Sequence, residues 1–169
     1  CAAIGSRPAL SALVIASNVA RAISRAALTQ VTPFFIVALA QARSAFSGDY
    51  RGGTRWARQG ERAASRIGCP LLAECTHLRG LYEIYELPAA DVVGFHREAR
   101  RIAMAVGSFQ GVSWGLLGEV CYTNMWRGVP LEQLVATERA ERDLMVRAGD
   151  AVGQHHFAVV ASYAEFLRE

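Results

Sequence analysis

The sequence predicts an all-α protein, a solenoid of about three stacked helical hairpins with flanking helices, and three observations lead there. Alanine is abundant, and alanine, leucine, arginine and glutamate all propagate helices well. Gly68, Gly107 and Gly149 each close a charged amphipathic run, at a spacing of about forty residues, the range expected of helix-turn-helix repeats. Between them, Gly48-Asp49-Tyr50, Glu86-Leu87-Pro88 and Arg127-Gly128-Val129-Pro130 interrupt the middle of each unit, so the units read 33–68, 70–107 and 108–149. One hairpin cannot cover its own apolar face, so neighbours stack and share a continuous core.

The elements follow in order. A first helix is expected from about Ala9 to Leu28. Its Asn18, Arg21 and Arg25 exclude a membrane span, which needs close to twenty apolar residues. The late position of those arginines also excludes a signal peptide, whose charges precede the apolar run. Pro33 suits the first turn of a helix running to Phe46. The Gly52-Gly53 pair is read as a loose lead into a helix from Thr54 to Ile67, with Trp56, Gly60, Ala63, Ala64 and Ile67 on one face. Gly68 closes it, and Pro70 follows where the helix must not continue. Leu71–Glu86 and Ala89–Val106 form the next pair around Pro88, the second carrying the stripe Val92, Phe95, Ala99, Ile102 and Val106. Phe109–Trp126 and Leu131–Ala148 form the third, and another helix opens near Gln154. Ala40, Gly80 and Gly118 occupy matching places on the first helices, where small residues let two helices approach closely.

The residues that could carry chemistry are few. All 18 basic residues are arginine, but 15 acidic residues are interleaved with them and the net charge is +3. That balance predicts a mixed, solvated surface and no nucleic-acid partner. Cys1, Cys69, Cys75 and Cys121 contain no Cys-x-x-Cys pair, so neither a zinc knuckle nor a redox motif is expected. Buried free thiols fit a reducing cytoplasm. His77, His96, His155 and His156 lack metal-ligand spacing, and no metal or cofactor is expected. A phosphate loop needs a lysine that the chain does not have. Gly48-Asp49-Tyr50-Arg51-Gly52-Gly53 is read as an inter-helix turn. Gly111-Val112-Ser113-Trp114-Gly115 imitates a nucleophile elbow, but that motif follows a strand and this one lies in a helical run. Glu138–Arg142 and Asp143–Arg147, at i, i+4, are expected to lace a solvent face. Tyr82, Trp114 and Tyr122 fall on first helices, which line the concave side of such stacks, and are the candidate partner-groove residues.

Three further segments carry a resemblance: Gly48-Asp49-Tyr50-Arg51-x-Gly53 before a helix, Arg97-Glu98-Ala99 with Ala105 and Gly107, and Gly128-x-Pro130-Leu131-Glu132 before a long charged helix. Over Gly48 to Arg168 the chain resembles the tetratricopeptide-like helical region of very large bacterial signalling ATPases. In that family a Ser/Thr-kinase-like domain and an AAA-type ATPase module precede the helical region, and a GAF domain with a histidine kinase or other output domain follows. The segment around Leu81 to Leu87 departs from the family's usual aromatic- and histidine-bearing stretch. The kinase and ATPase motifs lie outside this piece, so the resemblance implies no catalytic residue here.

The expectation from sequence is therefore a single helical-repeat segment over 1–169, an interior piece of a longer cytoplasmic protein. It acts as a non-catalytic regulatory or protein-interaction scaffold in bacterial signal transduction, with a protein partner or the neighbouring domains of its own chain. The alternatives are a free-standing helical-repeat adaptor and a small all-α enzyme using Cys1, Ser113 or His96 in a cleft between hairpins.

Overall fold

The computed structural model describes residues 14, 16, 17, 19–21, 25, 29–120 and 128–167, apart from the side chains at 45, 138, 148, 152 and 156. Every element is helical, and among the described residues there is no strand. The helices are α1 (Thr32–Ser47), α2 (Tyr50–Ile67), α3 (Leu72–Glu83), α4 (Ala89–Val106), α5 (Phe109–Leu117), α6 (Leu131–Ala148) and α7 (Ala151–Phe166). The expected helix from Ala9 to Leu28 falls largely outside the described residues, as do Tyr122 and Trp126. The chain divides into two compact units, Cys1–Glu86 and Leu87–Glu169.

Glycine in the left-handed region punctuates both units. Gly48, Gly68, Gly107 and Gly149 end helices at φ between 64° and 72°, a conformation that side-chain-bearing residues avoid. Three of them are followed by a residue whose side chain caps the next helix. Asp49 accepts from the Gly52 amide at 2.7 Å, Ser108 from the Gly111 amide at 3.2 Å, and Asp150 from the Gly153 amide at 3.0 Å. Each cap takes up one of the amides that a helix start leaves without a partner. Pro88 and Pro130 take the same position before α4 and α6, in extended backbone. Of the glycine-rich segment read as an inter-helix turn, only Gly48 and Asp49 form the turn, and residues 50–53 belong to the next helix.

In the first unit α2 packs against both α1 and α3. Phe34, Val37, Ala40, Ala57, Cys75 and Tyr82 share its core. Here the expected helix start at Thr54 is corrected. The Asp49 cap starts α2 at Tyr50, so Gly52 and Gly53 lie inside the helix, buried. A Cβ on Gly53 would strike the Ser44 hydroxyl and come within 3.2 Å of the Ala40 carbonyl. These glycines serve close approach, not a loose turn. Gly60 does the same further along, where a Cβ would lie 3.0 Å from the Pro33 carbonyl.

In the second unit α4 packs on α5, α6 on α7, and α5 touches both α6 and α7. Leu116, Val120, Leu134, Val135, Met145 and Phe157 form its core. The helix expected to run unbroken from Phe109 ends at Leu117 and widens into a π-turn at Gly118–Val120. A Cβ on Gly118 would run into the ring of His96, 2.6 Å from its Cγ, so glycine there admits a buried imidazole. A turn of π-helix inside a helical run is uncommon and marks a local packing demand.

Candidate functional site

The second unit offers a groove of about 340 Å³ between α6 and α7. Met145 and Phe157 come from its core, while Arg142, Gln154 and His155 bring polar groups to the lining. Gln154 is held in place by donating its side-chain amide to the Met145 carbonyl at 3.2 Å. Along α7 the positions 155, 159, 163 and 166 share a face, stepping by three and four residues. Val159, Tyr163 and Phe166 on that face are exposed, Phe166 at 71%. Val146 of α6, which also lines the groove, is exposed as well. An apolar strip beside an apolar groove with one guanidinium in its lining can bury a partner's side chains and orient them by charge.

The first unit carries a chain of alternating charges across α2 and α3. Glu83 is 0% exposed and receives the Arg58 guanidinium through Nε at 2.8 Å and the Arg79 guanidinium through Nε at 2.9 Å. Arg58 also reaches Glu86 at 2.9 Å, and Arg79 reaches Glu61 at 3.1 Å. Burial alone would raise the Glu83 pKa, but the hydrogen bonds and charges of Arg58 and Arg79 outweigh it and hold the carboxyl below its ordinary range. Thr54 completes the seam by donating its hydroxyl to the Tyr82 carbonyl at 3.2 Å. Arg79–Glu83, at i, i+4 on one helix, was visible in the sequence as spacing. The reach of Arg58 from another helix was not. At the edge of this seam the rings of Tyr50 and Tyr85 meet at a tilt of 34° with centroids 4.5 Å apart.

The residues singled out from sequence fall as follows. Tyr82 is only 6% exposed and sits in the core of the first unit, so its ring is not offered to a partner. Its neighbour Tyr85 is the exposed aromatic. Trp114 is half-buried on α5 of the second unit, and Tyr122 lies outside the described residues. Ala40, Gly80 and Gly118 are all buried, with Ala40 and Gly118 at the close approaches given above.

Ser113 of the elbow-like pentapeptide is fully buried, and its hydroxyl donates to Asp150 at 2.6 Å and touches the Met145 sulfur at 2.7 Å. It ties α5 to the cap of α7. His96 is 0% exposed, and burial pushes its pKa down to about 4, so the imidazole is neutral at pH 7. Cys69 and Cys75 are buried free thiols, both with pKa values raised by burial. Cys1 and Cys121 lie outside the described residues. Among the described residues no three His, Cys, Asp or Glu side chains are grouped to hold a metal ion. No helix of the described residues is long and apolar enough to cross a membrane.

The side chain of Glu138, of the expected pair with Arg142, is also outside the description. Two other charges of α6 reach neighbouring helices, with Glu141 meeting Arg100 at 3.2 Å and Arg139 meeting Glu165 at 3.1 Å. Compared with known proteins, the chain matches no family model, no curated protein and no solved structure.

Proposed function

We propose that this chain is a non-catalytic regulatory and protein-interaction segment of a multidomain bacterial signal-transduction protein of the kinase and ATPase type. The observation that carries the reading is the exposed apolar strip Val159, Tyr163 and Phe166 beside the α6–α7 groove. Apolar side chains gathered on one helix face favour contact with protein over contact with water. The helical plan agrees with repeated units. α2, α4 and α6 are each 18 residues long, start at Tyr50, Ala89 and Leu131, and end at a left-handed glycine. Burial of Ser113 and His96 supports the absence of chemistry at those groups.

The test has two arms. The coding sequence on either side of the segment should encode a phosphate-loop ATPase upstream and a sensor or output module downstream. A reading frame lacking both would overturn the multidomain reading. In the natural full-length protein, Tyr163→Glu with Phe166→Glu should weaken protection of the segment from protease while leaving its helical circular dichroism intact. Unchanged protection would remove the strip as the contact.

A further inference from the structure

The balanced net charge conceals a sorted distribution. The unit Cys1–Glu86 holds ten arginines against five acidic residues, whereas Leu87–Glu169 holds eight against ten. Five of the ten, Arg51, Arg55, Arg58, Arg62 and Arg66, lie on α2. At 100° per residue Arg51, Arg55, Arg62 and Arg66 share a sector of about 60°, along about 22 Å of helix. All four are exposed, on the side away from the buried Thr54, Ala57, Gly60 and Ala64. Among the described residues none of the four makes a salt bridge. The acids of this unit are engaged elsewhere. Asp49 holds Arg43, Glu61 holds Arg79, Glu83 and Glu86 hold Arg58, and Glu74 is buried. The result is a row of free guanidinium forks.

We propose that this outer face of α2 binds a single nucleic-acid strand. Guanidinium groups suit phosphate because they are planar, always charged and present paired donors. A row of them gains affinity by releasing the counterions condensed on a phosphate backbone. Gln59 and Ser65 flank the row, and no apolar side chain falls within its sector, whereas protein interfaces rest on an apolar core. The apolar face of α2 is spent against α1 and α3, so nothing is left to enter a bilayer as a membrane-surface helix requires. Tyr50, the residue before Arg51, meets Tyr85 at the N-terminal end of α2 with ring planes inclined at 34°, and the two rings are 44% and 53% exposed. Such a ring platform takes an unpaired base, which a duplex keeps within its own stack. The sequence-based exclusion of nucleic acid averaged charge over the whole chain, and the fold separates what that average merged.

The test uses the full 169-residue chain and a fluorescein-labelled twelve-nucleotide oligothymidylate, read by anisotropy. Saturable binding at 50 mM NaCl is expected, weakening about 50-fold at 200 mM for four phosphate contacts on a single strand. Arg51→Gln, Arg55→Gln, Arg62→Gln and Arg66→Gln together should abolish it with an unchanged melting temperature. Tyr85→Ala should weaken the strand about tenfold and leave a duplex of the same length unaffected. Three results would overturn the proposal: no saturable binding at 50 mM NaCl, binding that survives the fourfold variant, or a duplex bound as tightly as the strand. Full competition by poly-glutamate would assign the face to an acidic protein instead. Binding to vesicles of three parts phosphatidylcholine to one part phosphatidylglycerol, with none to the oligonucleotide, would assign it to lipid headgroups.

Discussion

Two substitutions of identical chemistry, Gly94→Ala and Gly115→Ala, should move stability in opposite directions. Both glycines lie in helices of the second unit, α4 and α5. Alanine in a helix interior is favoured over glycine by about 0.8–1 kcal/mol, because glycine loses more backbone freedom on folding. A Cβ on Gly94 would meet nothing within 4 Å, so that gain should appear nearly whole. A Cβ on Gly115 would lie 2.9 Å from the Arg100 amide nitrogen, the His96 carbonyl oxygen and the Arg100 Cβ. Ordinary carbon contacts are about 3.5–4.0 Å, so the shortfall is about 0.6 Å or more against atoms that include backbone. Neither helix can yield by rotating a side chain. They must separate, and such overpacking costs about 1–3 kcal/mol, which outweighs the gain in propensity.

The expected net is a gain of about 0.5–1 kcal/mol at Gly94 and a loss of about 1–2 kcal/mol at Gly115. For a chain of this length each kcal/mol moves the melting temperature by about 2–4 °C. Thermal melts followed by circular dichroism at 222 nm should therefore show Gly94→Ala above and Gly115→Ala below the parent. If Gly115→Ala melts at or above the parent, α4 and α5 do not approach as described and the reasoning fails.

Glu83→Ala should destabilise by about 2–3 kcal/mol in urea titration. That is less than for a fully isolated pair, because Arg58 keeps Glu86 and Arg79 keeps Glu61. A loss under 0.5 kcal/mol would remove the network from the stability of the first unit. Because the Glu83 pKa is lowered in the fold, its contribution is full above the unfolded carboxyl pKa, near 4.5, and is lost as pH falls through the folded value. His96 acts in a neighbouring window. Its folded pKa, about 4, lies below the ordinary 6.5, so the unfolded chain takes up the proton first. Stability is then full above pH 6.5 and drains as pH falls toward 4, by about 3 kcal/mol in all. Urea midpoints of His96→Gln should be flatter than the parent's between those limits, and parallel curves would contradict the burial. Asp150→Ala should cost more than Ser108→Ala, which loses one cap worth about 0.5–2 kcal/mol, because Asp150 also receives the Ser113 hydroxyl. Equal melting temperatures would refute that tie.

Much of the local structure was legible without tertiary information. The all-helical class, the spans of α4 and α6, and the closing glycines follow from periodicity, proline and glycine. These signals are local, since a left-handed φ or a missing amide hydrogen acts within one turn. Starts were read less well than ends. Gly52-Gly53 argued for a loop, and only the neighbouring Ser44 and Ala40 show why glycine is needed inside the helix. The π-turn at Gly118 likewise depends on His96, 22 positions away in sequence. Of the aromatics, Tyr82 and Tyr85 looked alike in sequence, but α3 ends at Glu83, so Tyr82 is held in the core by the helix while Tyr85 lies in the turn beyond it, exposed.

By itself the sequence determined that the chain is helical, where most helices stop, and that the described helices carry no membrane-spanning stretch. Those properties depend on residues within a turn of one another. The tertiary structure decided which arginines are neutralised and which stand free, since Glu83 draws in Arg58 and Arg79 across a helix contact while Arg51, Arg55, Arg62 and Arg66 are left to solvent. It also decided that Ser113 is tied to Asp150 and that Phe166 is bare. Charge and burial are set by what lies within a few ångströms in space, and composition averages over that distance.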